Sequence, residues 1–325
     1  MVINFVGNFQ NGYVGETGDS NHLVKELREL GHTVRAIPQD EWREHIIDGK
    51  DYPNVPKELD ADINIFTKWH HFYDGSFIKE LRNRSGAPVF YWVWDYMQGE
   101  DWHTKAVEEC DLYLGNDVRN GKYAENKNAY YFPFDCIDKD IKVYQGERSG
   151  EAIEQIYDVV FFGSWIGQGD RQVWLNEINK TTPITAFSWN YKDWPKEFEA
   201  KEAVYGDDFA KVVAQSKVIL GFNVEPSSWG YWSNRVGKVL GCKGFLLQQY
   251  APGMELFLRD GCDYFSTIEE AREKIDHYLI AEFERMVISK RGYQIAKERF
   301  TSQERVKDLV ILIERYLEDH GNWKF

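Results

Sequence analysis

Cysteine is scarce. The chain of 325 residues has four, Cys110, Cys136, Cys242 and Cys262, scattered and with no C-x-x-C pair. That spacing argues against a disulfide framework or a cysteine zinc site and suits reduced thiols. No apolar run approaches the length of a membrane span. The opening MVINFVGNFQNG has neither a basic leader nor a cleavable apolar core, so a cytoplasmic protein is expected. Basic charge is also short, with 39 Lys and Arg against 53 Asp and Glu and a net charge of −14. Residues 1–150 carry −9 and the remainder −5, so neither part has the basic excess of a phosphate-backbone binder. A local basic groove is still compatible with those totals. Gly163, Gly167 and Gly169 do not spell G-x-G-x-x-G, which weighs against an NAD-type oxidoreductase. His70 and His71 lack further ligands at metal-binding spacing, so no bound metal is expected.

Apolar residues make up 43% of the chain and aromatics 16%, including 12 Trp. The length exceeds one ordinary hydrophobic core, so two domains are expected. Residues 2–38 read as a β-loop-α-β unit: the strand VINFV, a Gly-rich loop, and a helix with Leu23, Leu27 and Leu30 on one face. Gly31 closes that helix, and TVRAIP forms the next strand. Further strands are predicted at 61–66, 88–95, 112–116 and 129–134, with a short helix at 77–83. The polar stretch 142–155 reads as a linker. A second series follows, with strands at 158–165, 184–189, 218–223 and 244–249 and helices at 171–179 and 207–217. From Ile268 onward the pattern is helical, ending in SQERVKDLVILIERYLED. Near-continuous apolar strands alternating with helices predict parallel sheets covered on both faces. The expected organisation is an α/β chain of two Rossmann-like domains facing across a cleft. Its divisions are 1–145, 156–300, and a closing helix at 301–325 that returns to the first domain.

Ligands of such sheets bind beyond the carboxyl ends of the strands. Residues 233–257, SNRVGKVLGCKGFLLQQYAPGMELF, read as a helix start, a buried strand and a Pro-Gly turn. Ser233, Asn234 and Arg235 would offer backbone N–H groups and a forked guanidinium to a diphosphate, and equally describe a capped helix with a surface arginine. Lys238 adds charge one turn on, or is simply solvated. Gly163 and Ser164 end one strand and Asn223 another, so all three face the same edge. Glu255 could accept from ribose hydroxyls or complement a helix dipole. In the first half, Asp95 ends the run PVFYWVWD among Trp92, Trp94 and Tyr96, where desolvation would suit a general base. Asp19 and His71 are alternatives, Asp19 being equally a helix cap.

The chain resembles the GT-B glycosyltransferases, and in particular the spore-maturation-type, group 1-like family. The residues that carry the likeness are GETGDSNHLVKELRELGHTV, YDVVFFGSW with Arg171, VILGFN, WSNRVGKVLGCKGFLL, APGMELF and IEEAREKIDHYLIAEFERMVISKRG. The resemblance implies sugar transfer from a nucleotide-sugar donor, a UDP-sugar first among them. It also implies a donor-binding second domain, an acceptor-binding first domain and no metal requirement. Retaining members often place two glutamates eight positions apart around the donor helix. Here WGYWSNRVGKVLGC has none, and Lys238 stands where the second would be. Two alternatives follow, the first a narrower version and the second a different class. One is a phage-type DNA glycosyltransferase acting on hydroxymethylated bases. The other is a non-catalytic nucleotide or sugar binder.

Overall fold

The computed structural model describes residues 1–9, 19–67, 75–94, 101–116, 118–119, 123, 125–133, 143–146, 153–165 and 170–320. The chain forms two compact units, Met1–Phe134 with Ser302–Phe325, and Asp135–Thr301.

The first unit alternates strands and helices. β1 (Val2–Gly7), α1 (Asp19–Glu29), β2 (Thr33–Pro38), α2 (Gln39–Asp48) and β3 (Ile63–Thr67) come first. α3 (Gly75–Ser85), β4 (Val89–Val93), α4 (Asp101–Glu109), β5 (Leu112–Gly115) and β6 (Ala129–Tyr131) follow. Among the described residues the strands make one six-stranded parallel sheet in the order β2-β1-β3-β4-β5-β6. β3 and β4 are buried at every position, as strands with helices on both faces must be. In α1, Leu23 and Leu27 are fully buried, but Leu30 is 43% exposed. Leu30 lies beyond the last helical residue, in a turn where its N–H still bonds the Glu26 carbonyl and Gly31 has φ +88°. The helix ends before the leucine pattern does.

The second unit begins with β7 (Tyr157–Phe162), α5 (Arg171–Asn179), β8 (Ile184–Ser188), β9 (Glu199–Glu202), α6 (Gly206–Ala214) and β10 (Ser216–Gly221). α7 (Arg235–Gly241), β11 (Leu246–Gln249), α8 (Met254–Leu258), β12 (Asp263–Phe265), α9 (Ile268–Ile280) and α10 (Glu282–Arg299) complete it. Its parallel sheet has six strands among the described residues, in the order β12-β11-β10-β7-β8-β9. Side chains alternate across it. Val159 and Phe161 join a core with Leu175, Ile184 and Ile275, while Val160 and Phe162 join another with Phe187, Val236 and Met254. Chain order reverses between β7 and β10, whose neighbours lead away in opposite directions. This is the topological switch point at which sheets of this kind bind ligands.

The closing helix (α11, Ser302–His320) belongs to the first unit. It buries Val306, Leu309, Ile313 and Leu317 and sets Tyr316 edge-on to Phe90 at 5.0 Å. No helix among the described residues is long and apolar enough to cross a membrane.

Candidate functional site

The switch point of the second unit is built from the ends of β7, β10 and β11. β7 runs out at Phe162, and the Gly163 N–H continues its ladder by donating to the Phe187 carbonyl at 3.0 Å. A Cβ at position 163 would lie 2.7 Å from the Phe161 ring and 3.5 Å from Arg235 Nη1. Only bare backbone fits there, and the Arg235 guanidinium lies beside it. The following loop is clamped to β8. Trp165 N–H donates to Asn190 Oδ1 at 3.1 Å, and Asn190 Nδ2 returns a bond of the same length to the Trp165 carbonyl.

α5 opens with Arg171, which is 5% exposed. Its Nη2 donates to the Ser164 carbonyl at 3.0 Å, and its guanidinium lies over the Phe161 ring at 5.8 Å. Burial, then the neighbouring charge of Arg235, pulls its pKa down to about 10, while Tyr231 pushes back. Arg171, on the Ser164 carbonyl, and Arg235, beside Gly163, therefore serve adjacent stretches of backbone, near enough for the charge of Arg235 to bear on Arg171.

The loop 222–234 carries Arg235 to this position. Asn223 is 3% exposed and braces β10 to β11. Its N–H donates to Gln249 Oε1 at 3.2 Å, its Nδ2 to the Gln249 carbonyl at 3.3 Å, and its Oδ1 accepts from Gln248 Nε2 at 3.3 Å. Further along, the Gly230 N–H bonds the Pro252 carbonyl at 2.7 Å. Gly253 has φ +88°, and a Cβ there would sit 2.6 Å from the Trp229 ring, so the two loops close tightly only around glycine. Phe162, Gly221, Ser233, Arg235, Val236 and Gln248 are among the residues that line a small pocket at this edge.

The sequence-predicted residues now separate. Gly163, Ser164, Ser233, Asn234 and Arg235 come together at the switch point. Asn234 has helical backbone angles and its side chain makes no cap bond, so α7 starts directly at Arg235. Ser233 Oγ accepts from the Arg235 N–H at 3.4 Å. Lys238 is half-buried, and its charge reaches Cys242, whose thiol burial pushes up to about 12. Asn223 is a brace. Glu255 is exposed on α8 and accepts from Tyr250 Oη at 3.1 Å. Burial and that carboxylate raise the Tyr250 pKa. Asp19 opens α1 at the carboxyl end of β1's connection, its side chain lying outside the described residues, as do Asp95 and His71 altogether. Arg171 was legible only as part of a family pattern. An arginine opening an apolar helix is the signal that marks it, because a buried cation needs a reason.

Residues 153–311 match the family model described as glycosyl transferase-like. No curated protein sequence matches the chain. Among solved structures, the chain is similar to sucrose-phosphate synthase from Thermosynechococcus elongatus, with TM-score 0.67, 9% identity, and coverage of 98% of this chain and 99% of that one. It is similar to Anabaena Alr3699/HepE, solved in complex with UDP-glucose, with TM-score 0.66, 13% identity, and coverage of 97% and 100%. A third is an alpha-glucosyltransferase solved with UDP and a 13-mer DNA containing a HMU base, with TM-score 0.65, 12% identity, and coverage of 97% and 99%. At these identities the likeness is one of fold.

Proposed function

The chain has the GT-B fold and, through residues 153–311, belongs with the glycosyl transferase-like proteins; on that premise we propose that it transfers a sugar from a nucleotide-sugar donor, a UDP-sugar, to an acceptor hydroxyl. The observation that carries this reading is the placement of Arg171 and Arg235 at the adjacent backbone of Ser164 and Gly163. Two neighbouring guanidiniums offer the charge and the forked donors that suit a diphosphate. HepE, of the same fold, is solved with UDP-glucose, which supports the choice of donor.

In the proposed reaction the acceptor oxygen attacks the anomeric carbon. The bond from that carbon to the diphosphate oxygen breaks, and its electron pair leaves with the nucleoside diphosphate. Charge then develops on the diphosphate, where Arg171 and Arg235 are already placed and need no reorganisation. Those two cations make the transfer independent of a divalent metal. Asp95 is our choice for the base that takes the acceptor proton, with Asp19 and His71 in reserve. The DNA-bound alpha-glucosyltransferase shares the fold, but the charge of −9 over residues 1–150 disfavours a DNA acceptor.

The test is thermal stabilisation by UDP. A ligand at 100 times its Kd adds about 2.7 kcal/mol to stability, which moves the transition by several degrees. Arg235→Ala should lose most of that shift while its unliganded transition is unchanged, and turnover should persist in EDTA. An Arg235→Ala protein stabilised by UDP as well as the wild type would remove the diphosphate assignment. A wild type that binds UDP yet turns over no sugar donor would leave a nucleotide binder.

A further inference from the structure

Most large aromatic side chains in the second unit are packed into its two cores or against them. Trp189 is an exception at the ligand edge. It is 58% exposed and directly follows β8. Its position is held on both sides. Ser188 Oγ donates to Asn190 Oδ1 at 2.6 Å, and Asn190 is bonded twice to Trp165 in the loop that leaves Gly163. Phe187, two residues before, receives the Gly163 N–H. Trp189 therefore stands one strand away from Gly163 and Ser164, the backbone served by Arg235 and Arg171. β7 and β8 are paired neighbours, about 4.8 Å apart, so the chain end carrying Trp189 adjoins the one carrying Gly163 and Ser164. Beyond the end of β9, the next strand out, Tyr205 is likewise 52% exposed where the chain enters α6. Both aromatics lie on the β9 side of the arginines, and neither is spent on the core.

We propose that Trp189 is the stacking platform for the nucleobase of the donor, with the nucleotide lying across the carboxyl ends of β7 and β8. The inference rests on the donor reading above and adds the direction in which the nucleotide lies. The chemistry is specific. A flat, half-exposed indole offers a π-face to any base, whereas a diphosphate has no ring to stack on it. Leaving so much indole in water is disfavoured by roughly 25 cal/mol for each Å² of apolar surface, and a stacked base removes that exposure. Asn190 fixes the backbone that carries the ring, so little ordering remains to be done on binding.

Calorimetric titration of the full chain tests this with three probes: inorganic pyrophosphate, UDP and ADP. Trp189→Ala should weaken both nucleotides by roughly 5- to 150-fold and leave pyrophosphate within twofold of wild type. Trp189→Phe, which keeps a ring, should recover most of the nucleotide affinity. Both changes fall on an exposed side chain, so thermal transitions without ligand should match the wild type. Equal nucleotide affinity in wild type and Trp189→Ala would overturn the platform while leaving the donor reading intact. Equal losses for pyrophosphate and nucleotides would overturn it too, since the residue would then act on the phosphate site. A wild type that binds none of the three probes would sink the donor reading itself, and the platform with it.

Discussion

The two units share an architecture and differ in what they put at its functional edge. Each has a parallel sheet with helices on both faces, and each has a switch point where chain order reverses. In the first unit that point lies between β1 and β3. Its described lining is neutral: a Cβ on Gly7 would meet Ser20 Oγ at 2.9 Å and Thr67 Oγ1 at 3.0 Å, and Gln39 Nε2 reaches Thr67 Oγ1 at 3.5 Å. In the second unit the equivalent point, between β7 and β10, holds two guanidiniums. Hydroxyls and an amide pack closely without strain. Two guanidiniums instead offer charge and forked donors suited to an anion. Backbone topology supplies a crevice in both units. The side chains at its rim differ, and on the proposed function the second is the one that takes a diphosphate.

The largest effect that would break the comparison concerns how each unit is completed. The second unit is continuous in the chain, whereas the first takes its last helix from the far end. Val306, Leu309, Ile313 and Leu317 are each worth about 1.5–3 kcal/mol of burial, which together rivals the roughly 5–15 kcal/mol stability of a whole domain. A chain ending at residue 301 should therefore lose the cooperative transition of the first unit and keep that of the second, together with its UDP shift. Differential scanning calorimetry reads both at once. Survival of both transitions would show that α11 is dispensable.

Next in size is a division of labour between the units. Asp95→Asn keeps the shape and removes the basicity. It should cut kcat by roughly a hundredfold or more while leaving UDP affinity unchanged. Near-normal turnover would exclude Asp95 and move the choice to Asp19.

The smallest effect sharpens the charge difference. Arg171 has a folded pKa of about 10, below the ordinary arginine value. Below that pH it is charged and ready for a diphosphate, so affinity should be flat from pH 7 to about 9. As pH rises through about 10 the free protein loses the proton that the complex retains, and affinity should fall by up to about tenfold per unit. The sign is opposite for the unliganded fold. The unfolded chain holds this proton to higher pH, so above pH 10 the same group ceases to oppose folding. Dividing wild-type affinity by that of Arg171→Met at each pH removes titration of the ligand. A flat ratio across pH 9–11 would place the proton loss elsewhere.

Much of the scaffold was legible because buried parallel strands are nearly continuous apolar runs. INIFT, VFYWV and YDVVFF could hardly be anything else. β9, EAKE, was not legible. As an edge strand it is half in water and carries charges, with Glu199 bonded to Thr185 Oγ1 at 2.8 Å and Lys201 over the Tyr157 ring. Among the candidate site residues, Gly163, Ser164 and Arg235 were reachable from strand-end position and residue chemistry. Asn223 has the same credentials, yet its amide is spent bracing β10 to β11, because only contacts made across the sheet reveal how a buried polar group is satisfied.

Sequence by itself determined the α/β class and the apolar faces of its strands and helices. These follow from local periodicity and from what each segment can bury. Tertiary structure alone decided that Arg171 and Arg235, 64 positions apart, come to adjacent backbone at Ser164 and Gly163, and that Trp189 stands uncovered at the end of the neighbouring strand. The register of parallel strands sets which chain ends share an edge. That register comes from packing the whole sheet, which no local pattern contains.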